Sequence, residues 1–430
     1  MRIGKFHAGD RLTMAQLSDD CFAFGGKLMT AQEAMDTLSE RLRVVVEPEQ
    51  VGLRAALGRI LAEDVMSEHA VPPHDNAAVD GYAVRFDDLD PDGETLLAVS
   101  GRVAAGHPLG RATQPGEAIR IFTGAPMPDG PDTVLMQEDC RVDGDRVAIP
   151  PGIKRGANRR RAGEDIGAGD TILQAGRKIR PQEIGLAASI GRTEISVFRR
   201  LNIALFSTGD EIRDIGEDLP PGCIYDSNRY TVSALLETLG CRVDDLGILP
   251  DNYDHIKRAL DNAARDHDAI LTSGGVSTGE EDHVRRAVEQ LGNIHFWRLA
   301  IRPGRPLALG QIGRTPFIGL PGNPVAVMVT FMRLARPALL RLAGCADTEP
   351  RIFRVRAGFD YKKKIDRREW LRVRLTTDSN GMVSAQKFPR DGAGILSSMV
   401  ASDGLLELPE DLTRLEPGMM VDFLPFSEVS

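Results

Sequence analysis

From Leu201 onward, short apolar runs alternate with helix-length segments, and this alternation limits the fold more than any other feature of the chain. Asn202-Ile-Ala-Leu-Phe206, Val243 to Leu249 and Ala269-Ile270-Leu271 have the length and composition of buried strands. Between them, Asp226-Ser-Asn opens a helix to Leu239, and a second helix runs to about Arg265. Strand–helix order of this kind predicts a parallel sheet with helices on both faces. Ligands of such sheets bind outside the carboxyl ends of the strands. The three strands lead into Thr208-Gly-Asp-Glu211, Pro250-Asp251-Asn252 and a glycine-rich turn from Ser273 to Gly279, so one pocket can collect all three.

The glycine-rich turn is the most informative of the three. It joins a strand to a predicted helix that starts with Glu280, Glu281 and Asp282. Glycines there let backbone N–H groups approach an anion, and a helix N-terminus favours negative charge. Gly274 and Gly279 have the spacing of a P-loop, but Glu280 and Glu281 stand where a P-loop needs Lys and Ser or Thr. A nucleoside-triphosphatase loop is therefore excluded. What remains is an anion cradle with carboxylates at its lip, an arrangement that calls for a bridging divalent cation. An ordinary strand-to-helix turn gives the same local pattern.

A chain of 430 residues predicts roughly three domains. Its 42% hydrophobic and 27% charged residues are those of a globular chain without a membrane span. The first residues, MRIGKFHAGDRLTMAQLSDD, have no apolar core of a secretory signal. Cys21, Cys140, Cys223, Cys241 and Cys345 are scattered without a CxxC pair, which argues against a disulfide framework or a zinc–thiolate site and predicts a cytoplasmic protein. A formal net charge of −9 excludes a broad basic face for nucleic acid. A phosphorylated substrate would need cations concentrated locally.

Upstream of the alternation, residues 1–28 read as an extension, and Thr30 to Leu42 has helical apolar spacing, a pattern that Val51 to Leu61 repeats. A polar, Pro-bounded loop from Val71 to Tyr82 carries Asp75, Asn76 and Asp80. From Thr95 to Pro150 short alternating runs separated by Gly and Pro predict a small β domain, with Thr123-Gly-Ala-Pro126 ending one strand. The basic run Lys154 to Arg161 leads into Gly163-Glu164-Asp165, and Pro181 to Ile190 reads as a short helix with Pro in its first turn. After the alternation come His295 to Pro306 with Arg298 and Arg302, then Ile318-Gly-Leu-Pro-Gly-Asn-Pro324 and an apolar helix to Leu340. Beyond Glu349 alternation returns and predicts a small β barrel or sandwich.

Seven of these stretches, in order, resemble the MoeA-type molybdopterin molybdenumtransferases, the family that includes the E domain of gephyrin. They are PPHDNAAVDGYA at 72–83, FTGAPMP at 122–128, RRAGED at 160–165, FSTGDE at 206–211, YDSN at 225–228, TSGGVS at 272–277 and GLPGNP at 319–324. The resemblance runs from about Thr30 to the C-terminus. It implies insertion of molybdate into adenylylated molybdopterin with release of AMP, assisted by magnesium (Mg2+). It implies an α/β multi-domain chain: a central parallel-sheet α/β domain of molybdopterin-binding type, an inserted small β domain, a helical or mixed linker domain and a C-terminal β barrel. The expected boundaries are 1–28 for the extension, 29–70 with 162–198 for the linker, 71–161 for the small β domain, 199–347 for the α/β domain and 348–430 for the barrel.

Carried over by motif, the resemblance makes Asp80, Thr123, Asp165, Glu211, Asp251 and Asp282 the catalytic set, with Glu211, Asp251 and Asp282 as the cation ligands. Asp80, Thr123 and Asp165 would position molybdate or its attacking water. Thr208, Gly274, Gly275 and Ser277 would hold phosphate, Arg298 and Arg302 would meet its charge, and Pro321, Asn323 and Pro324 would shape the pterin wall. The family's assembly is a homodimer in which Asp80 and Asp165 complete the pocket of the opposite subunit, and it leaves room for contact with the adenylylating enzyme and with molybdoenzyme acceptors. Three departures stand out. Residues 1–28 match no core motif of the family. Arg298 and Arg302 replace lysines usual in the family, a planar fork for a point charge. His74 replaces an apolar aromatic residue and reads as a partly buried packing histidine or as a pH-sensitive contact. Two other functions fit parts of this pattern. One is a molybdopterin-binding scaffold without turnover, against which the retained carboxylates argue. The other is the adenylylating step, against which the extra β domains and the Asp80 and Asp165 loops argue.

Overall fold

The computed structural model describes residues 28–274 and 283–429, and for residues 295–298 and 306 the backbone alone. The central α/β unit is built on a six-stranded sheet. Its spatial order is Arg242–Leu249, Asn202–Thr208, Ala269–Ser273, Thr315–Leu320, Pro306–Ile312 and Gly292–Arg298. The first four strands are parallel, as the alternation predicts. The last two run antiparallel, so the sheet is mixed. The reason is local: Arg298 to Pro306 closes a hairpin rather than a helical crossover, and a short hairpin can only join antiparallel neighbours. Both faces of the sheet are buried. Ile203, Leu205 and Leu271 face one helical layer, while Ala204, Phe206 and Ile270 face the other, the period-2 alternation of a strand.

The helix Ala31–Arg41 is started by a reciprocal cap: the Glu33 backbone N–H donates to Thr30 Oγ1 at 3.1 Å, and the Thr30 N–H donates to Glu33 Oε2 at 2.7 Å. Its apolar side, Ala34, Met35 and Leu38, packs into the α/β core. The helical spacing read at Val51 to Leu61 does not form a helix. Pro48–Gly52 is a strand paired with Glu194–Phe198, followed by a single tight turn. Gly52 and Gly58, the latter at φ +74°, break the run, and the apolar residues turn inward to a separate core. That core joins Ala56, Leu61 and Val65 to Ile166, Leu173, Ile179 and Ile195, so two distant segments make one unit. Pro181–Ser189 is the expected short helix.

Between those segments lies a six-stranded β unit, ordered Thr133–Met136, Gly81–Val84, Glu117–Ile121, Thr95–Val103, Arg146–Ile149 and Arg141–Asp143. Alternate residues fill two cores, Ala83, Ile119 and Val134 on one face and Tyr82, Ala118 and Leu135 on the other. A Cβ at Gly81 would lie 1.6 Å from the Leu135 carbonyl oxygen, so only glycine lets these strands meet directly after Asp80.

The C-terminal region closes into a five-stranded barrel. Arg368–Thr377, Val383–Lys387, Phe353–Ala357, Met420–Pro425 and Gly404–Leu408 pair in turn, and the last returns to the first. The barrel is fused to the α/β unit in two ways. Trp370, Met399, Leu405 and Leu424 belong to the same apolar core as Leu205, Leu320 and Phe331. The short strand Ile301–Arg302, from the α/β unit, pairs in parallel with Arg368–Glu369 of the barrel.

Candidate functional site

Strand register gathers the predicted loops at one rim. Ser207 lies beside Ser273 and Ile248, Thr208 beside Leu249, and Ser273 beside Leu320. The chain therefore leaves the sheet at Gly209–Glu211, Pro250–Asp251, Gly274 and Pro321–Pro324 along a single edge. The Thr208 side chain is buried, and neither its hydroxyl nor that of Ser207 has a hydrogen-bond partner among the described residues. An unpaired buried hydroxyl costs about 1–3 kcal/mol, so two at one strand end mark a place where a partner belongs. Gly274, at φ +81°, starts the turn with its N–H donating to the Leu320 carbonyl at 3.3 Å. Gly275, Ser277 and Asp282 lie outside the described residues, as do the extension and the lip acids Glu280 and Glu281.

Glu211 and Asp251 are both exposed at this rim. Glu211 turns back over Gly209, where a Cβ would sit 2.6 Å from Glu211 Oε2. The loop that carries Glu211 is tied down from behind. The Ile224 N–H donates to the Glu211 carbonyl at 2.8 Å, and the Asp226 N–H donates to that of Arg213 at 2.9 Å. The buried Arg229 guanidinium then pairs with Asp214 at 2.7 Å, Asp226 at 3.1 Å and Asp245. Asp226 also caps its helix, accepting from the Arg229 N–H at 3.0 Å. The next motif residue, Asn228, donates to the Gly322 carbonyl at 2.7 Å and so fixes the turn that precedes Asn323. Among the described residues no group of three His, Cys, Asp or Glu side chains is close enough to hold a metal.

At the Pro321 end the rim opens into a cavity of about 300 Å³ between the α/β unit and the barrel. One wall is Arg302 to Arg305 with Pro321, Gly322 and Asn323; the other is Tyr361, Glu369 to Arg372 and Asp391 to Ala393. Pro324 begins the helix behind Asn323, and the Val325 N–H donates to the Ala393 carbonyl at 2.9 Å, which pins the barrel loop to that helix. Three arginines, Arg302, Arg305 and Arg372, face two acids, Glu369 and Asp391. Asp391 is paired with Lys387 at 2.7 Å. Arg372 is held by Ser398 Oγ at 3.0 Å and by the Gly392 carbonyl at 3.2 Å. Burial, together with the hydrogen bond to Glu369, pushes the Tyr361 phenol up to about 12, so it stays protonated at neutral pH. The side chain of Arg298 lies outside what is described; Arg302 lines the cavity.

The third group stands on the small β unit. Asp80 Oδ1 accepts from both the backbone and the hydroxyl of Thr123. Asp165 is exposed, with its N–H donating to the Val71 carbonyl at 3.0 Å. Asp75, from the same loop as Asp80, has structural partners: it pairs with Arg159 at 2.5 Å and accepts from the Ala162 N–H at 2.7 Å. His74 is exposed and makes no hydrogen bond or ion pair among the described residues, so it does not pack. Among those residues no hydrogen bond or ion pair joins Asp80, Thr123 or Asp165 to the sheet rim. The structure therefore unites Thr208, Gly274, Glu211 and Asp251 along one rim, Arg302, Pro321 and Asn323 around one cavity, and Asp80 with Thr123 elsewhere.

Sequence reasoning missed the barrel's share of the cavity. Tyr361, Glu369, Arg372 and Asp391 lie 59 or more residues beyond Arg302 in the chain. The one usable sign was in the strand Arg368–Thr377, where Glu369 and Arg372 occupy buried positions beside the apolar Trp370 and Leu371.

Three family models match the chain. They are the MoeA N-terminal region (domain I and II) over residues 29–191, the "Probable molybdopterin binding domain" over residues 204–341, and the MoeA C-terminal region (domain IV) over residues 354–426. A molybdopterin molybdenumtransferase of Haemophilus influenzae is 37% identical over 404 residues, covering 94% of this chain and 100% of its own. One from a Nostoc species is 39% identical over 319 residues, covering 72% and 73%. Among solved structures, a molybdopterin biosynthesis MoeA protein from Pyrococcus horikoshii superposes with a TM-score of 0.79 at 29% identity, covering 93% of this chain and 100% of that one.

Proposed function

The chain belongs to the molybdopterin molybdenumtransferase family and is a transferase of molybdenum cofactor biosynthesis, and from that premise we propose that it inserts molybdate into adenylylated molybdopterin with release of AMP. The observation that carries this reading is the cavity at the rim. An acidic protein gathers Arg302, Arg305 and Arg372 around a hollow bordered by Pro321 and Asn323. A substrate with two phosphoryl groups and a flat ring system needs both features. The guanidinium groups draw in and orient phosphate oxygens, Arg372 from a fixed position on the barrel. Thr208, whose hydroxyl has no partner among the described residues, supports the phosphoryl groups from the sheet side, next to Gly274.

Magnesium fits the donors present. Glu211 and Asp251 are exposed carboxylates at neighbouring strand ends, and hard oxygen donors in small number suit an ion that keeps most of its water. They would hold the ion, with Asp282 as the expected third ligand. Bound there, magnesium would neutralise phosphoryl charge beside the bond to AMP. Asp80 and Asp165 position the water that attends molybdate, accepting its hydrogen bonds. We assign them to the pocket of a second subunit, because no contact within the described chain joins them to the rim. The exposed apolar residues Ile215, Leu219, Ile224, Tyr225 and Tyr230, all close to the Glu211 loop, support a covering second copy.

We place the enzyme in the cytoplasm. Cys140, Cys223, Cys241 and Cys345 are unpaired, and no helix among the described residues is long and apolar enough to cross a membrane. The deciding experiment follows AMP release from adenylylated molybdopterin with and without molybdate. Release that depends on molybdate supports insertion. No release at all leaves a binding scaffold, and formation of adenylylated molybdopterin from molybdopterin and ATP, with release of pyrophosphate, would mark the adenylylating step.

A further inference from the structure

Arg302 uses one end of its guanidinium on protein groups. Nη1 donates to the Tyr361 hydroxyl at 3.1 Å and to Glu369 Oε2 at 3.4 Å. Among the described residues Nε and Nη2 make no hydrogen bond, and the side chain is 45% exposed on the cavity side. A half-exposed arginine on a turn samples several rotamers unless something fixes it. Here the fixing group is anchored in depth. The Glu369 side chain is wholly buried; it accepts from Tyr361 Oη at 2.8 Å and from Arg367 Nε at 2.7 Å. Tyr361 thus stands between a buried carboxylate and an exposed cation, donating to the first and accepting from the second. The backbone repeats the arrangement, since Arg302 is paired in register with Glu369.

We propose that Tyr361, backed by Glu369, is a positioning residue for substrate binding: it turns Arg302 so that Nε and Nη2 present a two-pronged edge to a phosphoryl group in the cavity. This rests on the reading of the cavity as the substrate pocket. Tyr361 carries no charge, so removing its hydroxyl alters the aim of Arg302 without altering the charge of the site.

The test is a double-mutant cycle read by calorimetric binding of adenylylated molybdopterin and, separately, of inorganic pyrophosphate. Tyr361→Phe should raise Kd about three- to tenfold with thermal stability near wild type, and in turnover it should raise KM and leave kcat unchanged. In an Arg302→Ala background the same change should have no further effect on Kd. Arg302→Lys should cost affinity when Tyr361 is present and little when Phe replaces it. Wild-type affinity for Tyr361→Phe, or an equal loss with and without Arg302, overturns the positioning role. If Arg302→Ala weakens binding and Tyr361→Phe does not, the positioning role alone falls. If Arg302→Ala binds both probes like wild type, the cavity reading falls and this inference falls with it.

Discussion

Asp80 Oδ1 accepts two hydrogen bonds from Thr123, one from the backbone N–H and one from the hydroxyl, each at 2.7 Å. The backbone bond, then the hydroxyl, holds the Asp80 carboxyl below its ordinary value of 3.8, with Arg120 adding a smaller pull. The carboxylate therefore stays ionised further into acid than a free aspartate. Thr123→Val keeps the backbone donor and removes the hydroxyl. The acid limb of the pH–rate profile should move to higher pH, because the Asp80 pKa rises toward its ordinary value. An unmoved acid limb with an intact enzyme would mean that Asp80 ionisation does not govern the rate.

A shared pocket predicts complementation. Assayed with substrate well below the KM of the Arg302 variant, Asp80→Ala and Arg302→Ala should each release little AMP as pure proteins. After subunit exchange, a mixed dimer carries one pocket with both residues intact. In an equimolar mixture about half of the dimers are mixed and each has one intact pocket of two, so about a quarter of the wild-type AMP release should return. With exchange verified by differently tagged subunits, a mixture as inactive as its parents would put both residues in one subunit's pocket.

Glu183 offers a test of pH-dependent stability away from the site. The Arg180 guanidinium at 2.6 Å, together with the Arg180 backbone N–H at 3.0 Å, holds its carboxyl down from 4.5 to about 2. A depressed carboxyl pKa adds stability above the unfolded value and loses it as pH falls through the folded one. The window is therefore from about 4.5 down to about 2. Both arginine partners are about half exposed, so the contribution at neutral pH is about 1–2 kcal/mol after screening. Glu183→Gln should lower the urea midpoint at pH 7, and the gap from wild type should narrow at pH 3. A gap of equal size at both values would rule out the ionic contribution.

Arg229 is the buried tie of the Glu211 loop, with its side chain 4% exposed and Asp226 at 2%. Arg229→Met would strand a buried carboxylate, at a cost of about 3–5 kcal/mol. Amide exchange should accelerate across residues 209–226 more than in the neighbouring strands. Uniform acceleration across the sheet would show that the arginine supports the whole unit and not this loop.

The parallel part of the sheet was readable because each strand and its following helix are contiguous, and a local pattern is enough to see them. The helices at Ala31, Pro181 and Ser227 were readable from their caps. The antiparallel hairpin from Gly292 to Ile312 was not, since strands of either direction share one apolar pattern. Val51 to Leu61 misled because apolar spacing alone does not register the left-handed Gly58 or the pairing of Pro48–Gly52 with a strand far along the chain. At the site, Thr208, Gly274 and Pro321 could be grouped by the rule for strand ends. Tyr361 and Glu369 could not, because their meeting with Arg302 depends on the register of a two-residue strand against the barrel.

That pairing also bears on how such a protein can be altered. With Ile301–Arg302 stitched to Arg368–Glu369 and one apolar core spanning both units, the barrel and the sheet form a single working part. A chimera that exchanges the barrel alone must find a new seat for Arg302, while one cut ahead of the Asn202 strand carries the whole arrangement across. Substitutions at the Arg302 turn and on the barrel face opposite it should accordingly change together among functional variants selected from a library that randomises both, and independently of changes in the small β unit.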